Sequence, residues 1–264
     1  MGTARAQPDF LEAALRRERL IVVAGLVALA ALAWLYLAHT AAGMSAHAGM
    51  SMPMVSTWGA EETASLALMW IVMMVAMMVP SAAPVILLFA GLSRRRRIHG
   101  VLATPVSVFL LGYLIAWTGY AVLAAVTQSA LQSAALLSPA MASASPLLGG
   151  AILILAGVYQ WLPLKGACLA HCRSPLGFFS TEWREGVSGA LQMGFRHGSY
   201  CVGCCWALMA LLFVAGVMNL LWVAVIAGFV LAEKVVPSGR LLGRVTGLAL
   251  AGYGLWVLAL HFQS

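Results

Sequence analysis

Long apolar stretches, separated by short polar or basic ones, make up most of this chain. Each holds about 20 residues, the length that an α-helix needs to cross the hydrocarbon core of a bilayer. None alternates apolar and polar residues as a membrane-barrel strand does. They predict about seven spanning helices, the fifth and sixth joined by a very tight turn: Leu20–Ala38, Leu66–Gly91, Pro105–Thr127, Leu147–Leu164, Tyr200–Asn219, Leu220–Val236 and Leu241–Phe262.

The composition supports a membrane protein. Of 264 residues, 62% are hydrophobic and 9% are charged, and the mean hydropathy is +0.95. So little polar surface cannot coat a soluble globule of this size. We expect an all-α, polytopic bundle, one domain over residues 1–264, inserted in a membrane by several passes. The lipid bilayer is then the first partner, and the sequence leaves the oligomeric state open.

The basic residues predict the orientation. They fall in the N-terminal tail, in Arg94–Arg97, and in the stretches 165–196 and 234–244. By the positive-inside rule the N-terminus is cytoplasmic, the cysteines lie on the same side, and the loop His39–Ser65 lies outside. The net charge of +7 does not indicate nucleic acid, because the basic residues flank the predicted spans, where anionic lipid headgroups account for them.

The outer loop is rich in soft ligands. Thioether and imidazole groups together suit copper, above all Cu(I), better than magnesium or calcium. A Met-rich linker without function is the alternative. The candidate ligands are Met44, His47, Met50, Met52 and Met54.

A methionine ladder marks the second predicted span. Met69, Met73 and Met77 recur every four residues, which places their thioethers on one helix face. Pro80 and Pro84 follow and interrupt the backbone hydrogen bonding of the helix. The ladder predicts a path for a soft ion, and filling of the bundle interior by an adaptable side chain is the alternative.

All five cysteines lie in one window. Cys201, Cys204 and Cys205 follow His197 at helical spacing, so an imidazole and three thiols share one face if the helix already includes His197. The preceding inside loop adds Cys168, His171 and Cys172. Such a set suits Cu(I), and less well zinc or an iron–sulfur centre. Inert buried cysteines are the alternative, and sequence alone leaves open whether the two windows form one site.

Glu233 is the one acidic residue close to these groups at the end of a predicted span. Pairing with the adjacent Lys234 at the interface is the ordinary explanation, and a carboxylate relay for protons or cations is the alternative.

These motifs resemble a bacterial family of predicted metal-binding integral membrane proteins. The resemblance covers approximately Leu66 to Lys234 and rests on the methionine pairs with Pro80 and Pro84, on the segment from His197 to Trp206 with its Cys-x-Gly-Cys-Cys-Trp stretch, and on the segment from Gly216 to Lys234. It implies metal binding by a multi-pass protein of a bacterial inner membrane and carries no established reaction.

The sequence therefore favours a copper-handling membrane protein. Cu(I) would pass from the outer loop along the methionine ladder to Cys201, Cys204 and Cys205, for transport or for delivery to a metallochaperone or cuproprotein. An enzyme is less favoured. Its strongest form is a thiol oxidoreductase using Cys201 and Cys204 near a helix N-terminus. A haem-b scaffold with His171 or His197 as axial ligand is a third hypothesis.

Overall fold

The computed structural model describes residues 6–47, 59–98, 104–138 and 141–263, which are helical and contain no β-strand. The helices are α1 (Ala6–His47), α2 (Ala60–Ile98), α3 (Val106–Ser133), α4 (Pro146–Tyr159), α5 (Pro163–Arg173), α6 (Pro175–Glu182), α7 (Gly186–Ala210), α8 (Leu212–Ala215), α9 (Leu220–Val235) and α10 (Gly239–Gln263). The all-α prediction is confirmed for these residues.

Within the residues that the structure describes, five helices are long and apolar enough to span a membrane, in place of the predicted seven. They are Arg17–Gly43, Glu61–Arg96, Val106–Ser133, Gly186–Ala215 and Gly239–Gln263. The pair α4 and α5 together meets the same length and hydropathy requirements, but the two helices are bent by 64°. Helix α9 has 16 residues and is about 24 Å long at 1.5 Å per residue, less than the ~30 Å thickness of a hydrocarbon core.

The prediction of a single spanning helix over Leu147–Leu164 is wrong, because the chain there forms two helices, α4 and α5. Proline has no backbone N–H and disfavours helical backbone in the residue before it. Pro163 accordingly starts α5 rather than continuing α4, and Leu162 before it is extended, with ψ 139°. The bend turns α5 back toward α7, against which it packs.

The predicted inside loop before Tyr200 is also wrong, because the chain there forms α5, α6 and the first turns of α7. Helix α7 begins at Gly186, whose φ of +79° suits glycine, and not at Tyr200. His197 therefore lies inside the helix, as the shared-face prediction required. The loop predicted over His39–Ser65 is likewise shorter than expected, since α1 continues to His47 and α2 begins at Ala60. The predicted start of a helix at Leu220 is confirmed, with Asn219 as the N-cap of α9, but the preceding helix ends at Ala215 and not at Asn219.

Helices α3 and α7 approach each other unusually closely. A Cβ atom on Gly198 would lie 2.8 Å from Ala116 Cβ and 2.9 Å from the carbonyl oxygen of Tyr113, and one on Gly194 would collide with the backbone of Phe109. Small residues allow such contact between the backbones of packed helices. Helix α2 also packs against α3, and α5 packs against α7, so α7 contacts both α3 and α5.

Candidate metal centre

Three thiols meet in the core. The Sγ atoms of Cys172, Cys201 and Cys204 all lie within 4.8 Å of one another, and those of Cys172 and Cys204 are 3.9 Å apart. All three side chains are buried, with Cys201 and Cys204 at most 1% exposed. The structure thus brings one cysteine of the first sequence window to two of the second.

The local helix geometry explains this meeting. Cys201 and Cys204 are three residues apart on α7, so they share a face. Lys165, Leu169 and Cys172 follow one another at four- and three-residue steps and form the buried face of α5. Because α5 packs along α7, the last residue of that face reaches the two cysteines of α7. The amphipathic spacing in 163–173 is the sequence signal for this contact.

The spacing of the sulfurs fits a three-coordinate metal ion. With a metal–sulfur bond of about 2.3 Å, as in zinc–thiolate sites, three sulfurs in a trigonal arrangement lie about 4.0 Å apart. The distance from Cys172 Sγ to Cys204 Sγ, 3.9 Å, agrees with that value. The group can bind a soft metal ion with small movements of the side chains.

A buried ammonium group contacts the cluster. Lys234 Nζ lies 3.1 Å from Cys201 Sγ and 2.8 Å from Ser81 Oγ. The Tyr113 hydroxyl lies 3.1 Å from the same sulfur and donates to the carbonyl oxygen of Met78 at 3.2 Å. Buried charges require a partner of opposite sign or a dense set of hydrogen bonds. Cys201 Sγ is therefore the place where negative charge on the cluster is best stabilised.

The predicted pairing of Glu233 with Lys234 is wrong. Both Glu233 carboxylate oxygens lie 2.8 Å from Lys165 Nζ, and all three side chains are at most 9% exposed, so they do not extend to the interface. Consecutive residues of a helix point about 100° apart, so Glu233 and Lys234 face different partners. Sequence reasoning missed Lys165, Tyr113 and Ser81 because each reaches the site from another helix.

The other two cysteines lie beside the group. Cys205 is buried, and its Sγ donates to the carbonyl oxygen of Cys201 at 2.9 Å instead of joining the three sulfurs. Cys168 is partly exposed and lies against Gly203, where an added Cβ would be 2.8 Å from its Sγ. Cys168 lies one helical turn before Cys172 and is the more exposed of the two.

The two histidines predicted as ligands beside the cysteines, His171 and His197, do not join the group of three. His197 is 2% exposed, and its Nδ1 has no hydrogen-bond partner among the described residues. Its ring centroid lies 5.2 Å from that of Phe178 and 6.1 Å from that of Tyr113. His171 stacks on Tyr200 at 4.1 Å between centroids. Both imidazoles pack against aromatic rings within one turn of a cluster cysteine.

The methionine ladder lies in the core. Met69, Met73 and Met77 are each at most 6% exposed. The carbonyl oxygen of Met78 accepts from Tyr113, which contacts Cys201, so the end of the ladder at Met77 and Met78 lies at the same level as the cluster. Helix α2 continues through Pro80 and Pro84 to Ile98.

The predicted outer ligands are only partly described. Met44 and His47 belong to the last turns of α1, and their side chains lie outside the described residues. Met50, Met52 and Met54 lie outside them entirely.

The helix-dipole argument for a reactive Cys201 is wrong. Cys201 lies 15 residues after Gly186, about 22 Å along the axis of α7, whereas the dipole acts within the first turn. All five cysteines are free thiols.

The fold and this cluster define a class: an all-helical protein with several candidate membrane spans and three buried thiols at the spacing of a soft-metal site. A comparison with protein families makes the assignment specific. The model of the PpoB2 family, described as a copper chaperone, matches residues 67–257, and the chain belongs to that family. The match supports the metal-related family expected from sequence and extends through most of α10. No curated protein and no solved structure matches the chain.

Proposed function

We propose that this protein is an integral membrane chaperone that binds one Cu(I) ion between Cys172, Cys201 and Cys204 and delivers it to a cuproprotein or a soluble metallochaperone. The observation that carries the proposal is the meeting of three buried sulfurs from two helices within 4.8 Å. Membership of a copper chaperone family supports copper as the ion.

The chemistry of the donors favours Cu(I) over other ions. Three thiolates are soft ligands, which Cu(I) prefers, whereas magnesium and calcium require oxygen. Structural zinc is almost always four-coordinate, and the group contains three His, Cys, Asp or Glu ligands among the described residues. A three-sulfur site therefore suits Cu(I) better than zinc.

The charge of the site supports the same ion. Three thiolates and one Cu(I) carry a net charge of −2, which is costly in a buried place. The ammonium of Lys234, 3.1 Å from Cys201 Sγ, lowers this to −1. The Tyr113 hydroxyl, 3.1 Å from the same sulfur, would donate its one proton to a thiolate there in place of the Met78 carbonyl oxygen. Lys234 and Tyr113 thus make a thiolate site possible within the core.

A route for the ion is part of the proposal. The methionines of the outer loop would collect Cu(I), and Met69, Met73 and Met77 would pass it about 12 Å along α2 toward the level of Cys201. Each thiolate binds Cu(I) more strongly than a thioether, so the order of ligands favours inward transfer. Cys168 and His171, which are partly exposed on α5, would accept the ion for release.

The same proposal includes the orientation of the chain. Lys165, Arg173 and Lys234 lie around the cluster, and Arg240 follows at the start of α10. By the positive-inside rule, the part of the bundle around these basic residues lies near the cytoplasmic face, and the N-terminus is cytoplasmic. The chain would cross the membrane about seven times if the bent pair α4 and α5 is counted as one pass and the short α9 as another. Release would then occur to the cytoplasm.

Anaerobic purification with metal analysis and Cu(I) competition titration tests the site. We expect one Cu(I) per chain, and a loss of affinity of more than about 100-fold in the Cys201→Ser, Cys204→Ser double variant, since even supporting residues of metal sites contribute 10–100-fold. Cys205→Ser is the matched control, because Cys205 is equally buried on the same helix but outside the group. Undiminished stoichiometry and affinity in the double variant would exclude the site.

A thiol oxidoreductase is the second candidate, and the short distance between Cys172 and Cys204 favours this pair over Cys201 and Cys204. It predicts a purified protein without metal and with a reducible disulfide between α5 and α7, found by peptide mapping under non-reducing conditions. A Soret band would instead indicate the haem scaffold.

A further inference from the structure

An open cavity lies beside the first turns of α5, and no cysteine is among the residues that line it. It has a volume of about 320 Å³ and is bounded by the bend between α4 and α5, the end of α9 and the first turns of α10. The size is within the range of about 300–1,000 Å³ typical of small-molecule sites. Neither copper binding nor the family assignment accounts for it.

The charged residues of the cavity leave an excess of positive charge. Lys165 and Glu233 line its inner wall and neutralise each other at 2.8 Å. Arg240 and Arg244, one turn apart on α10, line the outer part and form no ion pair within the described residues. With no other acidic side chain in the wall, two guanidinium groups remain for an anion. Planar guanidinium groups suit phosphate oxygens particularly well.

The surroundings of these arginines are apolar. Arg244 lies over the ring of Trp161, 5.6 Å from its centroid, and Trp161 is 50% exposed. Leu162, which lines the cavity, and Leu241, next to Arg240, are also exposed. Exposed apolar side chains around a basic pocket suit a ligand with an acyl chain, and tryptophan is enriched where a protein meets the headgroup region.

We infer that this cavity binds the phosphate of an anionic phospholipid, with Arg240 and Arg244 on the phosphate and Trp161, Leu162 and Leu241 against the glycerol and acyl chains. The same phosphate chemistry would accept free inorganic phosphate, but the apolar surroundings select the lipid. Basic pockets between membrane helices bind acidic headgroups in this way. The inference is independent of copper binding.

Native mass spectrometry of the delipidated full chain tests the inference by titration with phosphatidylglycerol and, separately, with phosphatidylcholine. We expect phosphatidylglycerol to bind more tightly, and the Arg240→Gln, Arg244→Gln double variant to bind it about 10- to 30-fold more weakly, as two basic groups at an anionic surface predict. The single variant Arg244→Gln should lose about fivefold in affinity for phosphatidylglycerol, and it replaces the double variant in the test if the double variant does not fold. Millimolar inorganic phosphate should not displace the lipid.

The matched control is the double variant Arg17→Gln, Arg95→Gln, which removes two exposed arginines away from the cavity. Its lipid affinity should stay within about twofold of the unaltered protein, as expected for exposed charges. An equal fall in both double variants would overturn the site in favour of general attraction to basic residues. Equal binding of the two lipids would also overturn it, and displacement by inorganic phosphate would assign the cavity to the free ion.

Discussion

The only two lysines of the chain, Lys165 and Lys234, are both buried, yet their partners differ in kind. Lys165 contacts a carboxylate, that of Glu233, at 2.8 Å. Lys234 contacts a sulfur and a hydroxyl, those of Cys201 and Ser81. A carboxylate is a permanent anion near neutral pH, whereas a thiol can hold a proton, become a thiolate or bind a metal. The first pair therefore maintains the fold, and the second can respond to an ion.

The largest effect should come from Glu233→Gln. The substitution leaves the ammonium of Lys165 buried without an anion, and breaking a buried pair in this way costs about 3–5 kcal/mol. The free energy of unfolding in detergent, followed by tryptophan fluorescence, should fall by that amount. Glu182→Gln, which breaks the more exposed pair with Arg196, should cost at most about 1 kcal/mol. Equal costs in the two variants would remove the distinction between a buried and an exposed pair.

Lys234→Met should separate stability from copper binding. Cys201 can keep its proton when the ammonium is absent, so no charge is left unpaired, and the free energy of unfolding of the metal-free protein should change by less than about 1 kcal/mol. Cu(I) affinity should fall about 10- to 100-fold, as expected for a supporting group at a metal site. Competition titration measures this change, and Lys234→Arg, which keeps the charge, should retain more of the affinity. A large loss of stability with unchanged Cu(I) affinity would make Lys234 structural like Lys165.

Gly243→Ala should disturb the Lys165 pair through its anion. The new Cβ would meet the Glu233 carboxylate directly and would lie 3.4 Å from Gln160 Oε1. Because both groups are held by Lys165, they cannot move freely, and we expect a loss of about 1–3 kcal/mol, as for an overpacked core. Thermal unfolding by circular dichroism measures the loss. Gly252→Ala on the same helix is the control, since its Cβ would meet nothing within 4 Å.

Gly203→Ala should have the smallest effect on stability. Its Cβ would lie 2.8 Å from Cys168 Sγ, but that sulfur is the free end of a partly exposed side chain and can rotate away. We expect a loss below about 1 kcal/mol. Maleimide labelling with peptide mapping should show faster reaction at Cys168, with Cys201 still protected. An unchanged rate at Cys168 would contradict this account of its position.

The long apolar helices could be predicted because each carries its own signal. Helices α3 and α10 lie within a few residues of the predicted spans Pro105–Thr127 and Leu241–Phe262. Helices α5 and α6 could not be found in this way, since they have only 11 and 8 residues. A proline at the start of each indicates a helix start only once a helix is already suspected.

The sequence predicted which types of residue form the candidate site, but not which of the five cysteines come together. The spacing on α7 placed Cys201 and Cys204 together, because helical periodicity is a local property. That Cys172 joins them depends on the packing of α5 against α7. The spacing in 163–173 indicates which face of α5 is buried, but not which helix that face contacts. Gly198 disfavours a helix by its conformational freedom, but at this position it is required for contact with α3.

The close contact of α3 and α7 at Gly198 also determines which sulfur can be displaced. Because no layer of side chains separates these two helices there, sliding or tilting α7 would force one backbone into another, so Cys201 and Cys204 have a fixed spacing. Cys172 lies instead on a helix of three turns between Pro163 and Pro175. A larger or smaller bound ion would therefore displace α5 rather than α7. The position of α5 at the surface of the bundle would then depend on the radius of the ion.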